Sequence, residues 1–281
     1  MQNIAETQNK DEIVKEMFEN GVQYGRAKRF TNSKLREFLI KSSKIVEIFD
    51  AVKTLEKIDE LSIFLKKLLD EEKTILFVGI QPAAAKEMEA IAKSINQPYL
   101  VNKWVGGFLT NFSTIRMRVK FFEELKAKQD HGELDSYNPI EKRRVLRELQ
   151  KMENIYDGVL NLTKVPALIF TANLNYKPHK TMLREAGILG IPVVGICGSD
   201  NNPDKFKMFI PANDKAPASI KWIMRYIINQ INPEAAQNTK SIEELEEKEI
   251  QNVLDAVAES PIENTEENIN ITPLEQNDLA A

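Results

Sequence analysis

The run Thr74-Ile75-Leu76-Phe77-Val78-Gly79 is unbroken apolar sequence between its end residues, with Glu71, Glu72 and Lys73 before it. A strand with one wet face alternates polar and apolar residues. An unbroken run therefore predicts a strand covered on both faces, as in a parallel sheet. Pro82 then suits the first turn of a helix that continues to about residue 95. The pattern repeats outward along the chain. Pro98-Tyr99-Leu100-Val101 predicts a second strand and Ala167-Leu168-Ile169-Phe170-Thr171 a third. Pro192-Val193-Val194-Gly195-Ile196 and the short Met208-Phe209-Ile210 supply two more. Helices are expected over 51–72, 178–189 and 216–231, the first from the helical spacing of Leu55, Ile58, Leu61, Leu65 and Leu68. Strands alternating with helices predict an α/β fold with a largely parallel sheet flanked by helices.

Two segments depart from that alternation. Residues 114–128 and 139–156 read as long charged helices with narrow apolar stripes (Ile115, Val119, Phe122 and Leu125; Val145, Leu149 and Met152). Such stripes predict an antiparallel helical hairpin protruding from the sheet domain. At the N-terminus, a helix over 11–19 is expected to stop at Asn20-Gly21. From 22 to 44, seven basic residues (Arg26, Lys28, Arg29, Lys34, Arg36, Lys41 and Lys44) stand against Glu37 alone, with Tyr24, Phe30 and Phe38 interleaved.

The 281 residues carry 38 Lys+Arg and 42 Asp+Glu, a net charge of −4. That sum conceals a partition: residues 232–281 carry −11 and the preceding 231 carry +7. The expected organisation is a body of 1–112 and 157–231, a hairpin insertion of 113–156, and an acidic tail of 232–281. In the tail, Ser241-Ile242-Glu243-Glu244 fits a capping box for a helix over 241–257, and the rest reads as disordered.

Several functional classes are disfavoured. No apolar run approaches the roughly 18–20 residues that span a bilayer, and the N-terminus lacks signal- or transit-peptide character. A single cysteine, Cys197, excludes an internal disulfide framework and suits a reducing compartment, so a cytoplasmic location is expected. The first strand ends in Gly79-Ile80-Gln81-Pro82, without the glycines that bring backbone against a pyrophosphate. His131 and His179 are read as a loop and a helix-surface histidine, and two histidines with one cysteine do not suggest a zinc site. Cys197 closes an apolar strand, as a buried inert thiol does. The stretch 200–204 (Asp-Asn-Asn-Pro-Asp) reads as turn chemistry rather than a magnesium site, and Asn213-Asp214 as the start or cap of the last helix. With no acid/base pair remaining, neither catalysis nor a cofactor or metal is expected.

A polyanion partner is the reading that remains. Arg26, Lys28, Arg29, Lys34 and Arg36 are candidate phosphate contacts to folded RNA, against the plainer reading of a solvated face. Lys103-Trp104-Val105-Gly106-Gly107 combines a cation, a planar ring and two permissive backbone positions. Such a loop can press its backbone on a phosphate, although Trp104 can equally fill a core corner. Arg116 and Arg118 extend the candidate surface onto the first hairpin helix, where a solvated face is again the default.

With these residues in hand, a resemblance emerges. Trp104-Val105-Gly106-Gly107-Phe108-Leu109-Thr110-Asn111 closely resembles the Trp-Leu-Gly-Gly-x-Leu-Thr-Asn signature of the small-subunit ribosomal protein S-two family. Gly21-Val22-Gln23-Tyr24-Gly25 is similar to its Gly-Val-His-Phe-Gly. Leu76-Phe77-Val78-Gly79 corresponds to its first strand, while Leu189-Gly190-Ile191-Pro192-Val193-Val194 and Ile210-Pro211-Ala212-Asn213-Asp214 match two later blocks. The resemblance implies a Rossmann-like (flavodoxin-like) domain with a helical hairpin. It also implies non-catalytic binding of small-subunit ribosomal RNA between head and body, late joining to the subunit, and help in seating the mRNA-binding protein S-one. The chain departs from the pattern in places. The family's paired histidines are Gln23 and Arg26 here, so the resemblance does not carry over any metal they hold, and the basic residues after the first strand are Ile80-Gln81. Two alternatives stay open: a small-molecule-binding Rossmann-like enzyme, and a protein-interaction adaptor that uses the hairpin.

Overall fold

The computed structural model describes residues 2–41 and 45–234, with side chains described from residue 10 onward. The helix expected over 241–257 and the disorder expected around it lie outside the described residues.

Five parallel strands form the central sheet: β4 (Ile75–Val78), β5 (Tyr99–Leu100), β6 (Leu168–Ala172), β7 (Val193–Cys197) and β8 (Met208–Pro211). Their spatial order is β5-β4-β6-β7-β8. Counted within the sheet, this is the flavodoxin-like order, with its direction of winding reversed between β4 and β6. The register explains the unbroken apolar runs. Tyr99, Phe77, Phe170, Val194 and Met208 form one row across all five strands. That row packs in the core shared with α2 (Ala51–Asp70), α3 (Pro82–Ser94) and α7 (Pro217–Ile231). The alternate residues Leu76, Ile169 and Val193 belong to a second core with α6 (His179–Leu189) and the hairpin. Both faces are dry, so a polar side chain there needs a partner: Thr171, fully buried, donates its hydroxyl to the Val78 carbonyl at 2.8 Å.

The hairpin consists of α4 (Phe112–Asp130) and α5 (Pro139–Tyr156). Asn138 caps α5, its Oδ1 accepting from Ile140 N at 3.1 Å, with Pro139 in the first turn. Ile115, Val119, Phe122 and Leu149 are buried as the stripes predict. Lys126 Nζ, however, lies 3.3 Å from Asp157 and 3.8 Å from Glu153, beyond and near the far end of α5. The two helices are thus offset, and their stripes meet over part of their length.

Sequence periodicity gave no warning of a second sheet. After α1 (Gln2–Glu19), the basic segment folds into a three-stranded antiparallel layer of β1 (Tyr24–Ala27), β2 (Leu39–Ile40) and β3 (Val46–Phe49), in the order β1-β3-β2. His179 also corrects an expectation. It is fully buried, its Nδ1 2.9 Å from the Asn173 carbonyl, because the first turn of α6 tucks under the loop leaving β6. Burial lowers its pKa, so it is held neutral and donates through Nδ1. Cys197 is fully buried as expected, and burial, with Asp214 and Asp200 nearby, pushes its thiol pKa upward.

Candidate nucleic-acid interface

The antiparallel layer docks on the C-terminal ends of β7 and β8 through backbone groups. Arg26 N donates to Ser199 Oγ at 2.7 Å, Asn32 N to the Ser199 carbonyl at 2.8 Å, and Asn213 N to the Val22 carbonyl at 3.0 Å. Gly25 makes the close approach possible, since a Cβ there would stand 2.9 Å from Ser199 Oγ. Beyond β1, one 3-10 turn carries Lys28 and Arg29 and a second, Ser33–Phe38, carries Lys34 and Arg36. The second turn is anchored by Leu35, fully buried, and by Phe38, edge-on to Phe209 at 5.4 Å. Anchoring Leu35 turns its neighbours Lys34 and Arg36 outward.

The five N-terminal cations are therefore mounted together, but they do different work. Arg26 Nε lies 3.8 Å from Asp200, and Lys34 is ion-paired with Asp204. These two help to fasten the layer to the body. Lys28, Arg29 and Arg36 are exposed, as is Lys41. The Arg29 guanidinium stacks 4.7 Å from the ring centre of Phe30, itself 48% exposed.

The glycine loop takes the second of the two readings its composition left open, with Trp104 filling a core corner. Trp104 is buried, and its Nε1 donates to Glu185 Oε1 at 3.2 Å. Gly107 N donates to the same oxygen at 2.8 Å, and Leu109 N to Glu185 Oε2 at 2.9 Å. The backbone donors that would cradle a phosphate are already turned inward onto the protein's own carboxylate. A buried carboxylate requires such donors, and this loop supplies them. Gly107 takes a φ of +84°, which the turn requires; Gly106 is exposed, with open space where a Cβ would sit. Lys103 is exposed beside them. Arg116 is half-buried and donates to the Leu160 carbonyl at 2.8 Å, tying α4 to the segment after α5, while Arg118 is exposed.

Glu185 is the residue that sequence reasoning missed. It lies on α6 between Met182 and Ala186, all three buried. An acidic residue on an apolar helical stripe was the available signal. Asp214 was also underestimated. It is buried, accepts from Asn201 Nδ2 at 2.7 Å, and its carboxyl is pushed up to about 6 by burial and by Asp200. Asn213, rather than capping α7 directly, closes a turn just before it by accepting from Lys215 N at 3.1 Å. The 200–204 stretch is a turn, in which Asn202 Oδ1 accepts from Asp204 N at 3.2 Å.

Comparison with known proteins assigns the sequence that builds this arrangement to a family. The family profile described as "Ribosomal protein S2" matches residues 17–233. The chain belongs to the ribosomal protein S2 family. Relatives named "Small ribosomal subunit protein uS2" include that of Coprothermobacter proteolyticus, 36% identical over 218 residues, or 78% of this chain and 81% of the relative. That of Parabacteroides distasonis is 32% identical over 226 residues, covering 80% of each chain. The Dictyoglomus turgidum protein is 32% identical over 219 residues, 78% of this chain and 88% of its own. The stretch shared with the S2 family contains the antiparallel layer, the Trp104 loop, the hairpin and α7. The acidic tail beyond residue 233 lies outside the match. At the positions of the family's paired histidines, Gln23 is buried and Arg26 faces Asp200, and neither side chain is a usual metal ligand.

Proposed function

We propose that this chain is a structural constituent of the small ribosomal subunit that binds its ribosomal RNA and supports subunit assembly and translation, without catalysing a reaction. The observation that carries the reading is the antiparallel layer: exposed Lys28, Arg29, Arg36 and Lys41 on a scaffold bolted to the sheet by Ser199 and Asn213. Fixed cations on a rigid support match the fixed phosphates of folded RNA. Lys103 and Arg118 extend the surface, whereas Trp104, Gly107 and Arg116 serve the interface by holding its parts in place. The relatives' name places them in the small subunit, and a location between head and body, in contact with S-one, belongs to the same proposal. The ribosome in the cytoplasm is then its place of action. No described helix is long and apolar enough to cross a membrane.

The test is co-sedimentation with small subunits together with the salt dependence of rRNA binding. Replacing Arg29, Arg36 and Lys41 by Ala should flatten the log–log salt slope by about 0.7–0.9 for each phosphate that no longer meets a cation. An unchanged slope would sink the assignment of this layer as the RNA surface.

A further inference from the structure

Apart from the basic layer, a groove of about 620 Å³ lies between α6 and the segment that enters β8. Its floor is apolar, formed by Leu183, Ile191 and Phe206, which pack on the second core. Its walls are basic. Lys180 and Arg184, one helical turn apart on α6, face the groove from one side and Lys205 from the other, while Lys207, at its edge, turns its ammonium away to the Phe64 ring at 5.1 Å. Among the described residues that line it, Asp204 is the sole carboxylate, and Asp204 is already paired with Lys34. Among the described residues, no carboxylate pairs with Lys180, Arg184 or Lys205.

A second observation comes from the helix wall itself. Gly187 lies within α6, where glycine costs about 1 kcal/mol relative to alanine. A Cβ at Gly187 would meet nothing within 4 Å, and no left-handed φ calls for glycine there. Packing among the described residues therefore does not explain the residue. A bare stretch of helix beside a groove does allow another backbone to approach closely.

We propose that this groove seats an acidic, amphipathic segment of a partner protein. Its carboxylates meet the cations of the two walls, its apolar side chains lie on Leu183, Ile191 and Phe206, and its backbone runs against Gly187. RNA fits less well. A phosphate backbone would use the cations and leave the apolar floor unfilled, and Phe206, 7% exposed, offers no open ring face to a base. The groove borders the proposed RNA surface at Asp204, the partner of Lys34, so the substitutions below are placed on α6, away from that pair.

The experiment uses the full chain and a fluorescein-labelled helical peptide of about four turns, with Leu at i, i+3, i+4 and i+7 and Glu elsewhere. A control peptide keeps the Glu residues and replaces every Leu by Ser. Fluorescence anisotropy should show the Leu peptide binding at least about tenfold more tightly than the control. Lys180→Glu with Arg184→Glu should weaken it by a similar factor. So should Gly187→Gln, which favours the helix and so keeps the fold, and which should leave rRNA binding unchanged. Equal binding of the two peptides would overturn the proposal, as would an unchanged affinity in the charge-reversed protein with its circular dichroism intact. Loss of rRNA binding in that variant, with a short RNA oligonucleotide displacing the peptide, would make the groove a nucleic-acid contact and overturn it equally.

Discussion

Replacing Glu185 by Gln preserves volume and removes one charge, and the structure sets the consequence. Glu185 Oε1 accepts from Trp104 Nε1 and Gly107 N, and Oε2 from Leu109 N. In the variant, one oxygen survives and the other becomes an NH2 group aimed at backbone donors. Whichever way the amide is turned, at least one buried N–H loses its acceptor, at about 1–3 kcal/mol. The remaining bonds lose their charge assistance, while the lost charge returns some desolvation energy. The expected net destabilisation is about 2–3 kcal/mol, or roughly a 1 M drop in urea midpoint for a domain of this size. The chain has two tryptophans, so a Trp222→Phe background lets emission report on Trp104 alone. Because Glu185 is internal to the protein, the salt slope of RNA binding should be unchanged in this variant. Lys103→Ala should show the converse, a flatter slope with the urea midpoint unmoved. A Glu185→Gln unfolding free energy within about 0.5 kcal/mol of the parent's would refute the view that this carboxylate organises the loop.

Further expectations concern buried titratable groups and the tail. Asp214, at about 6 in the fold against an ordinary 3.8, holds its proton more tightly folded than unfolded. Its contribution to stability is therefore complete below about 3.8 and lost as pH rises through 6, so Asp214→Asn should flatten the dependence of the urea midpoint between pH 4 and 7, by up to about 3 kcal/mol. A pH dependence as steep as the parent's would reassign that titration. Cys197 should resist a thiol reagent in the native protein and react fully in urea; rapid native labelling would mean that the strand end opens. Truncation after residue 234 should leave rRNA binding intact or slightly tighter, since the residues removed are strongly acidic. Abolished binding would show that the charge partition does not map onto function.

What the sequence revealed, it revealed through burial. The strands at 75–78, 168–172 and 193–197 were legible because each packs on both faces, and that requirement writes an unbroken apolar run. The antiparallel layer was not legible. β1 is four residues long with Gly25 and Arg26 at its centre, β2 only two, and β1 reaches past both 3-10 turns and β2 to pair with β3, Tyr24 opposite Ile48. Such strands are specified by tertiary pairing, not by local alternation. Trp104 shows a different limit. Composition could not choose between a ring awaiting a base and a ring filling the core, because the deciding partner, Glu185, is 81 residues away. Family resemblance located the motif without revealing which way its donors point.

The division of labour among the basic residues has the same geometric origin. A cationic segment held against a sheet by backbone bonds alone would be free to splay, since its like charges repel. Asp200 and Asp204, in the loop after β7, oppose that repulsion at Arg26 and Lys34. Part of the segment's positive charge is thus used to build the surface and the remainder to present it. The two pairs are not equivalent. The Asp200 side chain is only 13% exposed and also lies 3.3 Å from Lys215 Nζ, whereas Lys34 and Asp204 are each more than half exposed. An exposed pair contributes only about 0–1 kcal/mol and weakens with salt. A phosphate can therefore displace Asp204 from Lys34 at little cost, while Arg26 has a better-shielded partner to lose. Lys34 accordingly belongs to both groups under the proposed function: it fastens the layer in the free chain, and its pair is the one an RNA phosphate would displace at least cost.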